Sequence, residues 1–169
     1  YDLERKYIKD IQLPGIGSIG GISANKKDNF IFFGFSSYTT PGSILKYDFE
    51  QNSLSEYYTT PFDKIDLSQF VVEQVFYPSK DGSRIPMFLV HKKDIKKDGQ
   101  NPVWLYGYGG FNISLTPSFD VRRLLWLENG GIYVVANLRG GGEYGEKWHK
   151  QGTKMQKQNV FDDFISAAQ

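Results

Sequence analysis

The stretch VWLYGYGGF, residues 103–111, decides which fold this sequence predicts. Its first part, residues 103–106, is a continuous apolar run of the kind found in strands that are buried on both faces. Three glycines (Gly107, Gly109 and Gly110) come next, and they allow the backbone to adopt positive φ angles and to approach other groups closely. A buried strand that ends in such a turn ahead of a helix is typical of the α/β class.

The sequence after this turn predicts a helix, a strand and a second helix. Residues 118–129 predict a helix with Ser118 as its N-cap and Gly130 just past its end. Residues 132–138 predict another buried strand, and Asn159 is the predicted cap of the second helix. One face of the first helix is predicted to carry Val121, Leu124, Leu125 and Glu128. This alternation of strands and helices predicts that the later strands run parallel.

The sequence before the turn predicts an antiparallel hairpin. Residues 71–77 and 84–91 have strand character, and the Asp-Gly pair between them is a hairpin signal. Pro86 favours an edge position for the return strand, because proline has no N–H to donate to a neighbour. The predicted fold class is therefore mixed α/β, with a sheet that begins antiparallel and becomes parallel, as at the start of an α/β-hydrolase domain.

The first 60 residues have a different character. Residues 29–36, 43–48 and 54–58 predict three short strands joined by turns, which form an antiparallel β-meander. A meander of this size is only marginally stable by itself. We therefore expect it to be one blade of a larger β-architecture.

The glycine turn itself is the candidate site. In α/β-hydrolases the loop after the third strand supplies part of the oxyanion hole, and residues 103–106 form the third predicted strand of the α/β part. Tyr108 offers a phenolic O–H, and a preorganised donor to a tetrahedral oxyanion lowers the barrier by roughly 2.7–4 kcal/mol. On spacing alone, a tight turn packed by aromatic side chains is the favoured interpretation.

The sequence offers no nucleophile to accompany this turn. A serine elbow needs the pattern G-x-S-x-G between a strand and a helix, and no serine has that context. His91 ends a strand beside a basic loop, and we expect a structural or surface role for His149. The glycines at 140, 142 and 145 follow a strand, but the acidic residues at the required distance begin a helix, so no dinucleotide site is expected.

Composition excludes several classes of function. Lys and Arg total 20 against 19 Asp and Glu, for a net charge of +1, so we expect no nucleic-acid partner. Cysteine is absent, which excludes disulfides and cysteine-based metal sites or nucleophiles and is compatible with a reducing compartment. No apolar run approaches the ~20 residues of a membrane span. We expect no metal, no cofactor and no membrane partner.

Three segments together resemble the prolyl oligopeptidase family of serine peptidases. They are residues 103–119, 135–152 and 157–169, and the similarity extends upstream through residues 75–93. The resemblance implies that residues 1–68 are the last part of a β-propeller domain and that residues 69–169 are the N-terminal part of an α/β-hydrolase peptidase domain. It also implies that Tyr108 is the tyrosine whose hydroxyl stabilises the oxyanion. Phe111 matches the aromatic residue that helps to line the substrate pocket near the proline.

The same resemblance implies an activity. Members of the family are cytosolic serine peptidases that cleave short peptides after proline, so we expect proline-containing peptides as partners and a cytoplasmic location. The family's nucleophile, acid and histidine lie after the position of Gln169, so we expect an internal fragment that is inactive alone and needs the rest of the parent chain. Two alternatives stay open: a non-catalytic binding or scaffold module, and an oligopeptidase of the same superfamily that cleaves after basic residues. The Gly-Gly-Phe of residues 109–111 argues against the second alternative.

Overall fold

A computed structural model describes residues 4–169, and these residues form two four-stranded sheets. Residues 1–3, which the predicted propeller segment includes, lie outside the described residues. The first sheet is an antiparallel meander of β1 (Ser18–Ala24), β2 (Phe30–Ser36), β3 (Ser43–Asp48) and β4 (Ser53–Thr59). The predicted meander is confirmed, with β1 as one strand more than the sequence had indicated.

The composition of β1 explains why it was missed. Its sequence, SIGGISA, has two central glycines, and glycine weakens a strand because it has no side chain to pack. The pairing with β2 shifts register between Gly20 and Ser23, and Gly21 has a φ of 56°. Gly34 lies opposite Gly20 at a distance where a Cβ would sit 2.8 Å from the Gly20 carbonyl oxygen. The glycines therefore allow the two strands to approach closely. They also remove the alternating side chains by which a strand is recognised in a sequence.

The second sheet is mixed, as predicted. It contains β5 (Phe70–Pro78), β6 (Arg84–Lys92), β7 (Val103–Gly107) and β8 (Ile132–Ala136) in the spatial order β5-β6-β8-β7. The strands β5, β6 and β8 pair antiparallel, whereas β7 and β8 pair parallel. The strand that leads into the glycine turn, β7, is therefore at the edge of this sheet among the described residues. Val103, Trp104 and Tyr106 are exposed there, so the predicted burial of this strand on both faces is not observed.

Pro86 does not mark an edge strand, so that prediction was wrong. The strand that contains it, β6, lies between β5 and β8. The Pro86 carbonyl accepts a hydrogen bond from Asn137 N at 3.0 Å, on the side that faces β8. The missing N–H of Pro86 points to the same side, where the ladder with β8 has already ended after the pair Met87 and Ala136. An internal strand thus tolerates proline at the point where its neighbour stops.

The helix α1 (Val121–Glu128) lies between β7 and β8, whereas α2 (Gly145–Lys150) and α3 (Gln158–Ala168) follow β8. The sequence had not predicted α2. Asp120, and not Ser118, caps α1, because its side chain accepts a hydrogen bond from Arg122 N. The buried residues of α1 are Leu124 and Leu127, while Val121 and Leu125 are exposed, so the predicted face was wrong. Within residues 4–169, every helix is too short or too polar to cross a lipid bilayer.

The start of α3 also differs from the prediction. Asn159 lies inside the helix, and its side-chain amide donates to the carbonyl of Gln151 instead of capping. Lys157 occupies the N-cap position and makes no capping hydrogen bond there. The Lys157 side chain is consequently free to reach another part of the fold.

Within the described residues, the meander contacts the α/β part through the buried side chain of Tyr38 and through hydrogen bonds to the segment between β7 and α1. Tyr38, from the connection between β2 and β3, is 3% exposed and packs in the core of the second sheet, 5.7 Å from the ring of Phe88 and 6.0 Å from the ring of Tyr133. In addition, Ser18 Oγ donates to Pro117 O at 2.8 Å, and Phe119 N donates to Ser36 Oγ at 3.2 Å. The meander therefore completes the core of the α/β part.

Candidate active site

The two predicted site residues lie together in the turn that follows β7. Tyr108 is 43% exposed and Phe111 is 85% exposed. Their rings are nearly parallel, with an interplanar angle of 26° and 6.5 Å between the centroids. The turn is at the carboxyl end of a parallel strand, which is where open α/β sheets bind ligands. Both side chains are thus available to a molecule that approaches from solvent.

The backbone of this turn has an uncommon conformation. Gly109, Phe111 and Asn112 have φ angles of 60°, 51° and 58°, in the left-handed region. For a residue with a side chain this region costs of order 1–3 kcal/mol, and it persists only where the surroundings hold it. Such strain concentrates at functional sites, so the conformation supports a functional interpretation of the turn.

Three hydrogen bonds hold the turn in place. Lys157 Nζ donates to Gly109 O at 2.8 Å, and Asn112 N donates to Gly140 O at 3.2 Å. Within the turn, Ile113 N donates to Gly110 O at 3.0 Å. The turn is therefore anchored both to α3 and to the segment that follows β8.

Gly109 has no room for a side chain. A Cβ there would lie 2.5 Å from Val160 Cγ1 and 2.8 Å from Leu138 Cβ. Gly82 provides a matched control, because it also has a positive φ, 81°, but open space where its Cβ would be.

We expect Gly109→Ala to lower the free energy of unfolding by about 1–3 kcal/mol more than Gly82→Ala does, since only the former adds overpacking to the backbone strain. Urea unfolding of the two variants and the wild type measures this difference. Equal losses of stability in the two variants would show that overpacking against Val160 and Leu138 does not contribute to the destabilisation.

A second clamp holds the chain just beyond the turn. Glu143 Oε1 accepts hydrogen bonds from Leu115 N at 3.0 Å and from Asn137 Nδ2 at 3.1 Å. The same Asn137 amide donates to Leu115 O at 2.9 Å. The sequence did not indicate a role for either residue, although Glu143 lies in the segment RGGGEYG, residues 139–145, among the glycines considered above.

The arginine of that segment is the centre of a buried ionic network. Arg139 is 2% exposed and Asp163 is fully buried, and their closest contact, between Nη2 and Oδ1, is 2.6 Å. Arg139 also binds Asp81, at 2.6 Å, and Ser79 Oγ, at 3.3 Å. The hydrogen bond from Arg139 lowers the pKa of Asp81 to about 2, whereas the pKa of Arg139 itself is raised, chiefly by its hydrogen bond with Asp163. This network ties the turn between β5 and β6 to α3 and to the segment that follows β8.

The two histidines have structural contacts. His149 shares a hydrogen bond between its Nδ1 and the Gly140 carbonyl, at 2.8 Å, and this carbonyl also anchors the turn. His91 is buried, with its Nδ1 2.7 Å from Lys92 O and its Nε2 3.7 Å from Glu73. Within the described chain, no group of three or more His, Asp or Glu side chains is arranged to hold a metal ion.

The glycines after β8 serve close packing. A Cβ on Gly140 would lie 2.7 Å from Gly109 O, and one on Gly142 would lie 2.5 Å from Asn112 O. Their absence of side chains allows this segment to lie against the glycine turn, which accounts for two of the three glycines of the G-x-G-x-x-G pattern. The third, Gly145, has open space around it and a φ of 76°.

An apolar pocket of about 300 Å³ lies beside Tyr108. Its other walls are Gly107, Leu138, Lys157, Val160, Phe161, Phe164 and Ile165. The apolar residues of α3 are thus only partly covered, and Phe161 and Ile165 are more than half exposed. Tyr108 and Lys157 are the two polar side chains that face this apolar space.

Family models match both parts of the chain. A model described as the prolyl oligopeptidase family matches residues 117–169. A second, described as the N-terminal β-propeller domain of prolyl oligopeptidase, matches residues 1–60. Together they cover about two thirds of the chain.

Curated relatives and solved structures agree with these models. A prolyl endopeptidase of Elizabethkingia meningoseptica is 52% identical over the whole chain, and one of Dictyostelium discoideum is 45% identical, also over the whole chain. The chain spans 24% and 22% of these two proteins. A structure from a study of two prolyl endopeptidases and their inter-domain dynamics superimposes with a TM-score of 0.87 at 45% identity, over 98% of this chain and 24% of its own. The unliganded prolyl oligopeptidase B of Galerina marginata gives a TM-score of 0.79 at 44% identity, over 91% of this chain and 22% of its own.

Proposed function

Because the chain belongs to the prolyl oligopeptidase family, we propose that the whole protein is a serine-type peptidase that cleaves short peptides after proline. The observation that carries the proposal is the strained turn at the end of β7, which presents Tyr108 and Phe111 to solvent beside an apolar pocket. The chain spans about a quarter of the length of the curated relatives it matches, so the serine and its base are assigned to other parts of the whole protein.

Tyr108 is proposed as the oxyanion donor. When the serine hydroxyl adds to the carbonyl carbon of the scissile bond, its proton passes to the base and the π electrons of the carbonyl move to the carbonyl oxygen. The phenolic O–H of Tyr108 donates a hydrogen bond to that oxygen, and this bond is stronger in the tetrahedral state than to the neutral substrate. A turn held at both ends keeps the donor in place before the charge develops.

Phe111 is proposed to contact the proline side chain of the substrate. Its ring is 85% exposed and nearly parallel to the ring of Tyr108, so one flat apolar face is available to a pyrrolidine ring. Burial of that face on binding stabilises the complex by the hydrophobic effect.

We also propose a division of the chain at residue 68. Residues 1–68 form the last part of a β-propeller domain, and residues 69–169 form the first part of the peptidase domain. The two separate sheets and the positions of the two family matches support this division. A cytoplasmic location is proposed for the whole protein, and cell fractionation tests it.

Substrate profiling of the whole protein tests the proposed function. We expect peptides with proline before the cleaved bond to be hydrolysed roughly 100-fold faster, in kcat/KM, than peptides with Arg or Lys there. A preference for Arg or Lys would instead favour the oligopeptidase alternative. No hydrolysis of any peptide would favour the alternative of a non-catalytic binding or scaffold module.

The 169-residue chain alone is expected to be inactive. A fluorophosphonate probe labels an activated serine, and we expect the whole protein to be labelled and the isolated chain to stay unlabelled, since no serine of the chain has a nucleophile context. Stoichiometric labelling of the isolated chain would contradict this expectation.

A further inference from the structure

We propose that Lys157 is a positioning residue that holds Tyr108 in the orientation an oxyanion donor needs; this inference rests on the proposed role of Tyr108. Lys157 is 49 residues after Tyr108 in sequence and sits at the N-cap of α3. Its ammonium group donates to the carbonyl oxygen of Gly109 at 2.8 Å, in a partly buried place. The residue bonded to this lysine is therefore the immediate neighbour of Tyr108.

The hydrogen bond fixes the orientation of the Gly109 peptide unit, which is also restricted by close packing. Gly109 has a φ of 60°, and its carbonyl oxygen lies so close to the Cα of Gly140 that a Cβ there would be 2.7 Å away. A charged donor makes a stronger bond than a neutral one, and removing it would leave a partly buried carbonyl without that partner. Loss of this bond would leave the Gly109 peptide unit, and the adjoining backbone of Tyr108, less precisely positioned.

Lys157 also lines the pocket that Tyr108 lines. Its neighbours there are apolar (Leu138, Val160 and Phe161), and its ammonium group lies 2.8 Å from the carbonyl oxygen of Gly109. A positive charge beside a phenolic donor favours negative charge on the acceptor in the tetrahedral state. Orientation and charge both predict an effect on the rate of the chemical step and little effect on substrate binding.

A double-mutant cycle in the whole protein tests the inference. The variants are Lys157→Met, which keeps an unbranched apolar stem, Lys157→Arg, which keeps the charge and the donors, Tyr108→Phe, and Lys157→Met combined with Tyr108→Phe. Lys150→Met is the matched control, because Lys150 is an exposed lysine paired only with Glu146 one turn away. The measurements are kcat and KM for a proline peptide, with thermal unfolding of each variant.

We expect Lys157→Met to lower kcat about 10-fold with KM changed less than about twofold, as for a donor moved slightly out of place. Lys157→Arg should recover most of the loss, Lys150→Met should have no effect, and Lys157→Met should cost less than about twofold when Tyr108 is already Phe.

The outcomes separate this inference from the proposed function. If Tyr108→Phe lowers kcat but Lys157→Met does not, or if Lys157→Met costs the same in both backgrounds, the positioning role is wrong and the role of Tyr108 stands. If Tyr108→Phe itself leaves kcat unchanged, the proposed oxyanion role fails, and the inference about Lys157 fails with it. A loss of kcat in Lys157→Met that Arg does not restore, together with a lower unfolding temperature, would assign Lys157 to stability alone.

Discussion

Replacing Arg139 with Met is expected to lower the free energy of unfolding by about 3–5 kcal/mol, because it leaves the carboxylate of Asp163 buried without its counter-charge. Arg139 is 2% exposed, and Asp163 has no exposed surface. Two other donors to this carboxylate, Ser79 Oγ at 2.6 Å and the backbone N–H of Arg139 at 3.1 Å, would remain. They are neutral groups and cannot balance a buried charge.

Urea unfolding of the whole protein measures the loss as a lower transition midpoint. Arg122→Met is the matched control, because Arg122 forms an ion pair with Asp120 at 2.7 Å but its side chain is 83% exposed. Exposed pairs of this kind contribute about 0–1 kcal/mol. A double variant, Arg139→Met with Asp163→Asn, should recover part of the loss, since the amide carries no charge. If the double variant is no more stable than Arg139→Met, the unpaired charge is not the cause.

Tyr108→Phe is expected to lower kcat of the whole protein by roughly 10²–10³-fold, the usual effect of removing one oxyanion donor. The substitution deletes only the hydroxyl, so the ring that lies beside Phe111 stays in place. KM should change little, because the hydrogen bond is made to a charge that develops only in the tetrahedral state.

Tyr106→Phe is the matched control for this prediction. Tyr106 is on β7, two residues before Tyr108, and the two side chains have almost the same exposure, 44% and 43%. Loss of its hydroxyl should leave kcat within about twofold, as for a group outside the reacting centre. An unchanged rate in Tyr108→Phe, or an equal loss in both variants, would remove Tyr108 from the mechanism.

The sequence predicted the fold class because the decisive strands have strong local patterns. The apolar runs that became β7 and β8 and the Asp-Gly hairpin of β5 and β6 needed no tertiary information. The failures occurred where tertiary contacts override local pattern. In α1, both Leu124 and Leu125 fit an apolar face, and only packing against the sheet decides that Leu124 and Leu127 are the buried pair.

For the candidate site, the sequence indicated the glycine turn but not the residues whose contacts hold that turn and its surroundings in place. Tyr108 and Phe111 are adjacent to glycines, and this local pattern can be recognised from the sequence alone. Arg139 and Lys157 lie far from the turn in sequence, and charged residues are usually exposed, so neither pattern nor composition predicts their contacts. Their roles follow from distances that only the folded chain defines.

The side chain of Tyr38 couples the first sheet to the core of the second. Its ring belongs by sequence to the meander but lies in the core of the second sheet, with the Arg123 guanidinium 5.3 Å from its centre. Any rotation that separates the sheets must withdraw this ring into water, at a cost of about 1.5–3 kcal/mol for one large apolar side chain. Separation of the two sheets is therefore expected to loosen the core of the second sheet at the same time, and a substitution at Tyr38 should affect both together.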